Sequence, residues 1–198
     1  MNLNPKKTAF GRNETFALRY SWLTKGFQTP AEVFNSDDAT VILGVGKNMV
    51  KSIQYWLKAC RIVDDKMQPT AIGSAIFSEE TGFDPYLEDE ATIWLIHWLL
   101  ATNSQLATAF YWFFNNFQKP EFTSLELQTA LSDFVKDKLR ANVSIKTLRS
   151  DASLVLRMYS QNQLNARTSL EDSLDSPLSL LRLISHSSDG HQYYSKLE

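Results

Sequence analysis

The chain has 198 residues, 43% of them hydrophobic, and a formal net charge of −2. That is enough apolar chain for one large core or two small ones, and it excludes a protein that is basic overall, as many dedicated nucleic-acid binders are. One cysteine and three histidines exclude an internal disulfide and a Cys/His metal framework, and the most apolar stretch, Ile93 to Ala101, is too short to span a bilayer.

The opening MNLNPKKTAF lacks the apolar run of a signal peptide, so a cytoplasmic location is expected. Residues before Phe10 read as polar and loose. Asn13 is placed to cap a helix running to Lys25, with Phe16, Tyr20 and Leu23 as its apolar stripe and Gly26 as its stop. Pro30 to Phe34 reads as a short helix, because proline fits a first helical turn.

The segment Asp38 to Arg61 carries the most information. Asp37 is a candidate N-cap for a short helix ending at Leu43. Gly44-Val45-Gly46 then supplies a sharp turn, and a longer helix begins near Lys47. Met49 or Val50, Ile53, Trp56 and Leu57 recur at helical spacing and face inward. Lys47, Asn48, Lys51, Ser52, Tyr55 and Lys58 fall mostly on the other side, with Arg61 just beyond. A small helix pair that offers its second helix outward with such residues is built like a DNA-reading helix-turn-helix. The competing reading is an ordinary solvated face that happens to be basic. Cys60 lies among Trp56, Leu57 and Ile62, as a buried structural thiol would. The following RIVDDKMQPTAIGSAIF reads as a short strand, a turn at Asp64-Asp65 and a return through Pro69-Thr70. That is the length of the wing in a winged helix, and Pro69 and Gly73 argue against a long strand.

Gly82 to Pro85 is a turn. Glu88, Asp89 and Glu90 precede an apolar helix, Glu90 to Thr102, and acids in a first turn offset the helix dipole. A further helix, Leu106 to Phe117, is aromatic nearly all round and should be buried. Trp94 and Trp98 with Tyr111, Trp112, Phe113 and Phe114 are expected to form the central core. A base-stacking platform would need exposed rings on a basic background, and no Lys or Arg lies between Glu79 and Gln118. Ser124 caps a helix from Leu125 to Lys138, and Ser144 opens another to Ser160. Lys146, Arg149 and Arg157 lie on the outside of that last helix. This pair fits a second helix-turn-helix and fits an ordinary antiparallel hairpin equally well. Gln161 to Ser176 reads as a linker, Pro177 to Ile184 as a short helix or strand, and the tail shows little pattern.

The expected fold is therefore mainly α: a winged helix-turn-helix part over residues 1–85, a helical bundle over 86–160, and a loop with a C-terminal segment over 161–198. GVGK at Gly44 to Lys47 lacks the spacing of a phosphate-binding loop, and no GxSxG nucleophile motif is present. His97, in WLIHWL, reads as a satisfied core histidine, and His186 and His191 have no acid partner nearby in sequence. No catalytic residue, cofactor or metal is assigned, and an enzyme is not expected.

At FGRNETFALRYSWLTKG, at TAIGSAIF with GFDPYLEDEATIWLIHWLLAT, at AFYWFFNNF and at DSPLSLLRLI, the chain resembles a prokaryotic family known as domain of unknown function 4007 (DUF4007). The resemblance covers Phe10 to Phe117 and Asp175 to Ile184, and the DPYLED run before WLIHWLL is its most specific part. Family members look longer, and Leu197-Glu198 is of the kind a cloning site leaves, so a fragment or short variant is expected. The family's catalytic residues are unknown, so none carry over. The resemblance implies a genomic setting beside sulfur-handling, reductase-like enzymes linked to DNA phosphorothioate modification and defence against foreign DNA. The combined expectation is a DNA-binding accessory protein of such a system. Lys47, Asn48, Lys51, Ser52 and Tyr55 would meet duplex DNA, Lys58 and Arg61 would lie nearer phosphates, and Lys146, Arg149 and Arg157 would add contacts. Neighbouring modification or defence proteins are further partners, and a homodimer is open to it. The alternative is a protein-interaction subunit that uses the same fold without binding DNA.

Overall fold

The computed structural model of the protein describes residues 3–4, 7–160, 176–187 and 191–196. It is mainly helical with one small antiparallel sheet. Helix α1 is Tyr20–Gln28. It starts well after Asn13 because the preceding residues run across other helices instead of coiling. Gly26 lies inside α1 and does not end it: a Cβ there would sit 2.7 Å from Ile53 Cγ2 and Leu57 Cδ1. The missing side chain lets α1 lie close against the helix that carries those two residues. A 3₁₀ turn, Ala31–Asn35, follows.

Helix α2, Ala39–Leu43, begins behind Asp38, whose side chain makes no capping bond, so the expected Asp37 cap is absent. Gly44 ends it with φ +61°, a left-handed conformation costly to any residue with a Cβ. Helix α3, Lys47–Ala59, then buries Val50, Ile53, Trp56 and Leu57 as the spacing requires. Cys60 is fully buried, and burial pushes its thiol up to about 12. The expected wing is reduced to a single bridge between Val63 and Pro69. Asp64 Oδ1 closes its turn by accepting from the backbone N–H of Lys66 and Gln68, both at 2.8 Å. Beyond it the chain coils, and Thr70 caps α4, Ala71–Phe77.

The acidic cluster has the structural task its position predicts. Buried Asp84 accepts from the N–H groups of Glu88 and Asp89, and Asp89 caps α5, Glu90–Ala101. Helix α6, Thr108–Asn116, buries Phe110, Tyr111, Trp112 and Phe113 at the centre of the molecule. Trp94 and Trp98 do not join them. They are 44% and 57% exposed, because α5 packs through Ile93, Ile96, Leu99 and Leu100 instead. His97 is the satisfied core histidine expected: its Nδ1 lies 2.8 Å from the Tyr159 hydroxyl and its ring packs on Phe114.

Strand β1, Glu121–Thr123, leads into α7, Ser124–Asp133, through a capping box of Thr123 and Glu126; the cap is Thr123, one residue before the expected Ser124. A π-helical turn, Phe134–Leu139, extends α7, and Ser144 caps α8, Ile145–Tyr159, which packs on α7. After the 3₁₀ turn Pro177–Leu181, the tail forms β2, Ile184–His186, and β3, Gln192–Ser195. The sheet order is β1-β3-β2, with Phe122 paired to Tyr193. Strands this short carry too little alternation to be seen in a sequence. Apart from Ser176, the expected linker lies outside the described residues. Buried side chains from Leu18 to Ile184 form one cluster, and among the described residues no helix is long and apolar enough to cross a membrane.

Two measurements check this packing. Gly44→Ser should cost about 1–2 kcal/mol in chemical denaturation, whereas Gly46→Ser should be neutral or slightly stabilising, since Gly46 has φ −67° and open space around it at the start of α3. Burial holds His97 down at about 4, below its ordinary 6.5, so its contribution is complete above pH 6.5 and is lost as pH falls towards 4. Wild type should lose about 1.4 kcal/mol per pH unit in that window relative to His97→Gln, and parallel curves for the two would count against it.

Candidate nucleic-acid interface

The residues before α1 form a strap that ties distant helices together. Ala9 donates its N–H to Thr108 Oγ1 at 3.0 Å, at the start of α6. Gly11 N–H and Asn13 Nδ2 each donate to the Asp151 carboxylate of α8, at 2.8 Å to Oδ2 and Oδ1 respectively. On the other side, Ser52 Oγ donates to the Asn13 carbonyl at 3.0 Å and Trp56 Nε1 to the Phe16 carbonyl at 3.1 Å, both from α3. Arg157 donates to the Thr15 carbonyl at 2.6 Å. Gly11 has φ +68°, and a Cβ there would lie 2.7 Å from Thr147 Cγ2, so only glycine passes. Glu14 and Thr15 also take positive φ, a strained choice for a β-branched threonine that the surrounding bonds enforce.

Asp151 is the polar centre of this arrangement. It is buried, and burial raises its pKa while the bonds from Asn13 and Gly11 pull it down. Neither Asp151 nor Asn13 stands out as a joint in the sequence. The available signal is that Asp151 falls beside Leu148, Ala152 and Val155 on the core side of its helix, where a carboxylate must find donors.

Between the strap and α3 lies an open groove of about 1280 Å³. The strap contributes Lys7 and Arg12, and α3 contributes Lys51, Tyr55 and Lys58, with Arg61 just beyond. Glu14, Asp64 and Asp65 dilute the positive charge, and residues Thr102 to Leu106 complete the wall. Lys58 and Arg61 donate to the carbonyls of Asp65 and Thr102, so hydrogen bonding orients them without neutralising them. Lys47, Asn48 and Lys51 are exposed at the N-terminal end of α3.

Several of the sequence-predicted contacts move. Ser52 is fully buried beneath the strap, with its hydroxyl donated to the Asn13 carbonyl, and is not on the surface of the groove. Tyr55 is half-buried, and its hydroxyl donates to the Leu106 carbonyl at 3.0 Å, so only part of its ring borders the groove. Arg157 serves the strap. Lys146 and Arg149 are exposed on α8 but do not line the groove. Lys7 and Arg12 belong to it, although neither the loose reading of the residues before Phe10 nor the helix expected from Asn13 gave a reason to place them there. Among the described residues, no group of three His, Cys, Asp or Glu is gathered as a metal site.

Fold and groove together define a mainly helical protein with a small sheet and a cation-lined surface groove under an N-terminal strap. The family described as a protein of unknown function, DUF4007, matches residues 10–198, and the chain belongs to it. Two solved structures are similar to it. A crystal structure of SspB is 31% identical, with a TM-score of 0.77 over 95% of this chain and 59% of that one. A magnesium ion-bound crystal structure of SspB is 28% identical, with a TM-score of 0.83 over 97% of this chain and 61% of that one. The chain thus spans about three-fifths of the length of these relatives. No curated protein matches it.

Removing the joint should release the strap. Asp151→Ala is expected to cost about 2–3 kcal/mol and to speed amide hydrogen exchange across residues 9–16 before other segments. Uniform exchange changes along the chain would contradict a local role.

Proposed function

We propose that this chain is a DNA-binding accessory unit whose contact surface is the exposed end of α3 together with the groove beneath the strap. The observation that carries the reading is the row Lys47, Lys51 and Lys58, spaced along one side of α3, of which Lys51 and Lys58 line the groove together with Arg12 and Lys7 of the strap. Among the described residues, neither Lys47 nor Lys51 has an ion-pair or hydrogen-bond partner, so both charges are available to phosphates. Local potential steers a polyanion even when the net charge is −2. The α2–turn–α3 unit followed by the Val63–Pro69 bridge is read as a helix-turn-helix with a minimal wing, and Asn48 is the exposed side chain suited to a base edge. Lysines on phosphate give salt-dependent affinity with little sequence preference.

The biological setting is proposed as a DNA modification or defence system of the phosphorothioation type. That part rests on family membership and on the likeness to SspB. Partner proteins from the same system are part of this reading, and the exposed Trp94 and Trp98 favour a protein-contact role alongside DNA binding.

A duplex titration at low and moderate salt tests it. Lys47→Glu with Lys51→Glu should weaken binding about tenfold or more and lower the salt slope by about two. Arg12→Glu should weaken it through the strap side of the groove. Equal binding by parent and variants removes the proposal.

A further inference from the structure

Helix α5 is apolar on almost every side, a pattern that belongs to a helix covered all round. This chain covers it only in part. Ile93, Ile96, Leu99 and Leu100 are buried, while Trp94 and Trp98 stand exposed one turn apart and therefore side by side. Glu90, one turn before Trp94, extends the row. Trp94 is braced edge-on by His97 at 5.7 Å between ring centres, and His97 is held by the Tyr159 hydroxyl. This indole is backed by the core and loses little freedom on contact.

The charge around the row selects what can cover it. Glu88, Asp89 and Glu90 are exposed at its N-terminal end; no Lys or Arg occurs in sequence between Glu79 and Gln118, and Arg61, which donates to the Thr102 carbonyl, is a cation at the far end, one turn past Trp98. Exposed aromatic rings can stack nucleic-acid bases, but a phosphate backbone following this row would meet the three carboxylates at its N-terminal end. Carboxylates beside indole faces instead attract a guanidinium, through ion pairing and cation–π contact together.

We propose that the Glu90–Trp94–Trp98 face docks an arginine-bearing amphipathic helix of a partner protein. The partner's arginine lies over an indole and against Glu90, and its apolar side chains cover the second ring. Helix-on-helix docking fits a row spaced at successive turns of α5. The inference stands apart from the DNA reading, since it uses none of the groove residues.

The test uses the full chain and two labelled helical peptides with the same leucine face, one carrying arginines beside it and the other glutamates at the same positions. Fluorescence anisotropy should show the arginine peptide binding at least tenfold tighter than the glutamate peptide. Glu90→Lys and Trp98→Ala should each weaken that binding fivefold or more, with unchanged circular dichroism and duplex affinity. Equal affinity for both peptides, or none for either, overturns the proposal. So does sedimentation showing a dimer that Trp98→Ala dissolves without any peptide binding, since a second copy would then cover the face. Loss of single-stranded oligonucleotide binding in Trp98→Ala would overturn it in favour of base stacking.

Discussion

The carboxylate of Asp151 is the joint on which the described surface depends. It takes one hydrogen bond from Gly11 and one from Asn13, and so fixes the strap to α8. Ser52 and Trp56 fix the same strap to α3. A buried carboxylate is costly unless its oxygens are engaged, and here the donors come from a segment far away in sequence. The consequence is geometric: Arg12 and Lys7 are brought opposite Lys51 and Lys58, and a groove exists where the sequence alone offers only a basic helix. Without that joint the strap would keep its charges but lose their position.

The molecule separates its charges. The α3 groove gathers cations held by carbonyls or left open to solvent, while the leading end of α5 gathers exposed acids beside two exposed tryptophans. A net charge of −2 describes neither region. For a polyanion the relevant quantity is the potential at the groove, and for a cationic protein segment it is the potential at α5. The structure therefore carries two surfaces of opposite local charge on one core.

How much of this was legible depended on how local each signal was. The α2–turn–α3 unit is local: Gly44 sits where a left-handed residue is needed, and Val50, Ile53, Trp56 and Leu57 repeat at one helical period. The capping of α8 by Ser144, the acid-capped start of α5 and the buried Cys60 were legible for the same reason. Ser52 was misplaced because helical periodicity assigns a face but does not say what crosses that face; the strap does, through a contact 39 residues away. Trp94 and Trp98 were misplaced because an all-apolar helix has no amphipathic signal to show which side stays open. The sheet pairs Phe122 with Tyr193, strands of three or four residues that no window would detect. Lys7 and Arg12 became part of the site only through tertiary contacts of an otherwise patternless segment.

On the proposed reading, the strap and the outer side of α3 form one surface for DNA. Hydrogen–deuterium exchange of the full chain, with and without a saturating short duplex, addresses it directly. Slower exchange is expected in residues 9–15 and 47–58 together, with α5 unchanged. Protection confined to other helices, or no protection at a duplex concentration that saturates binding, would contradict it.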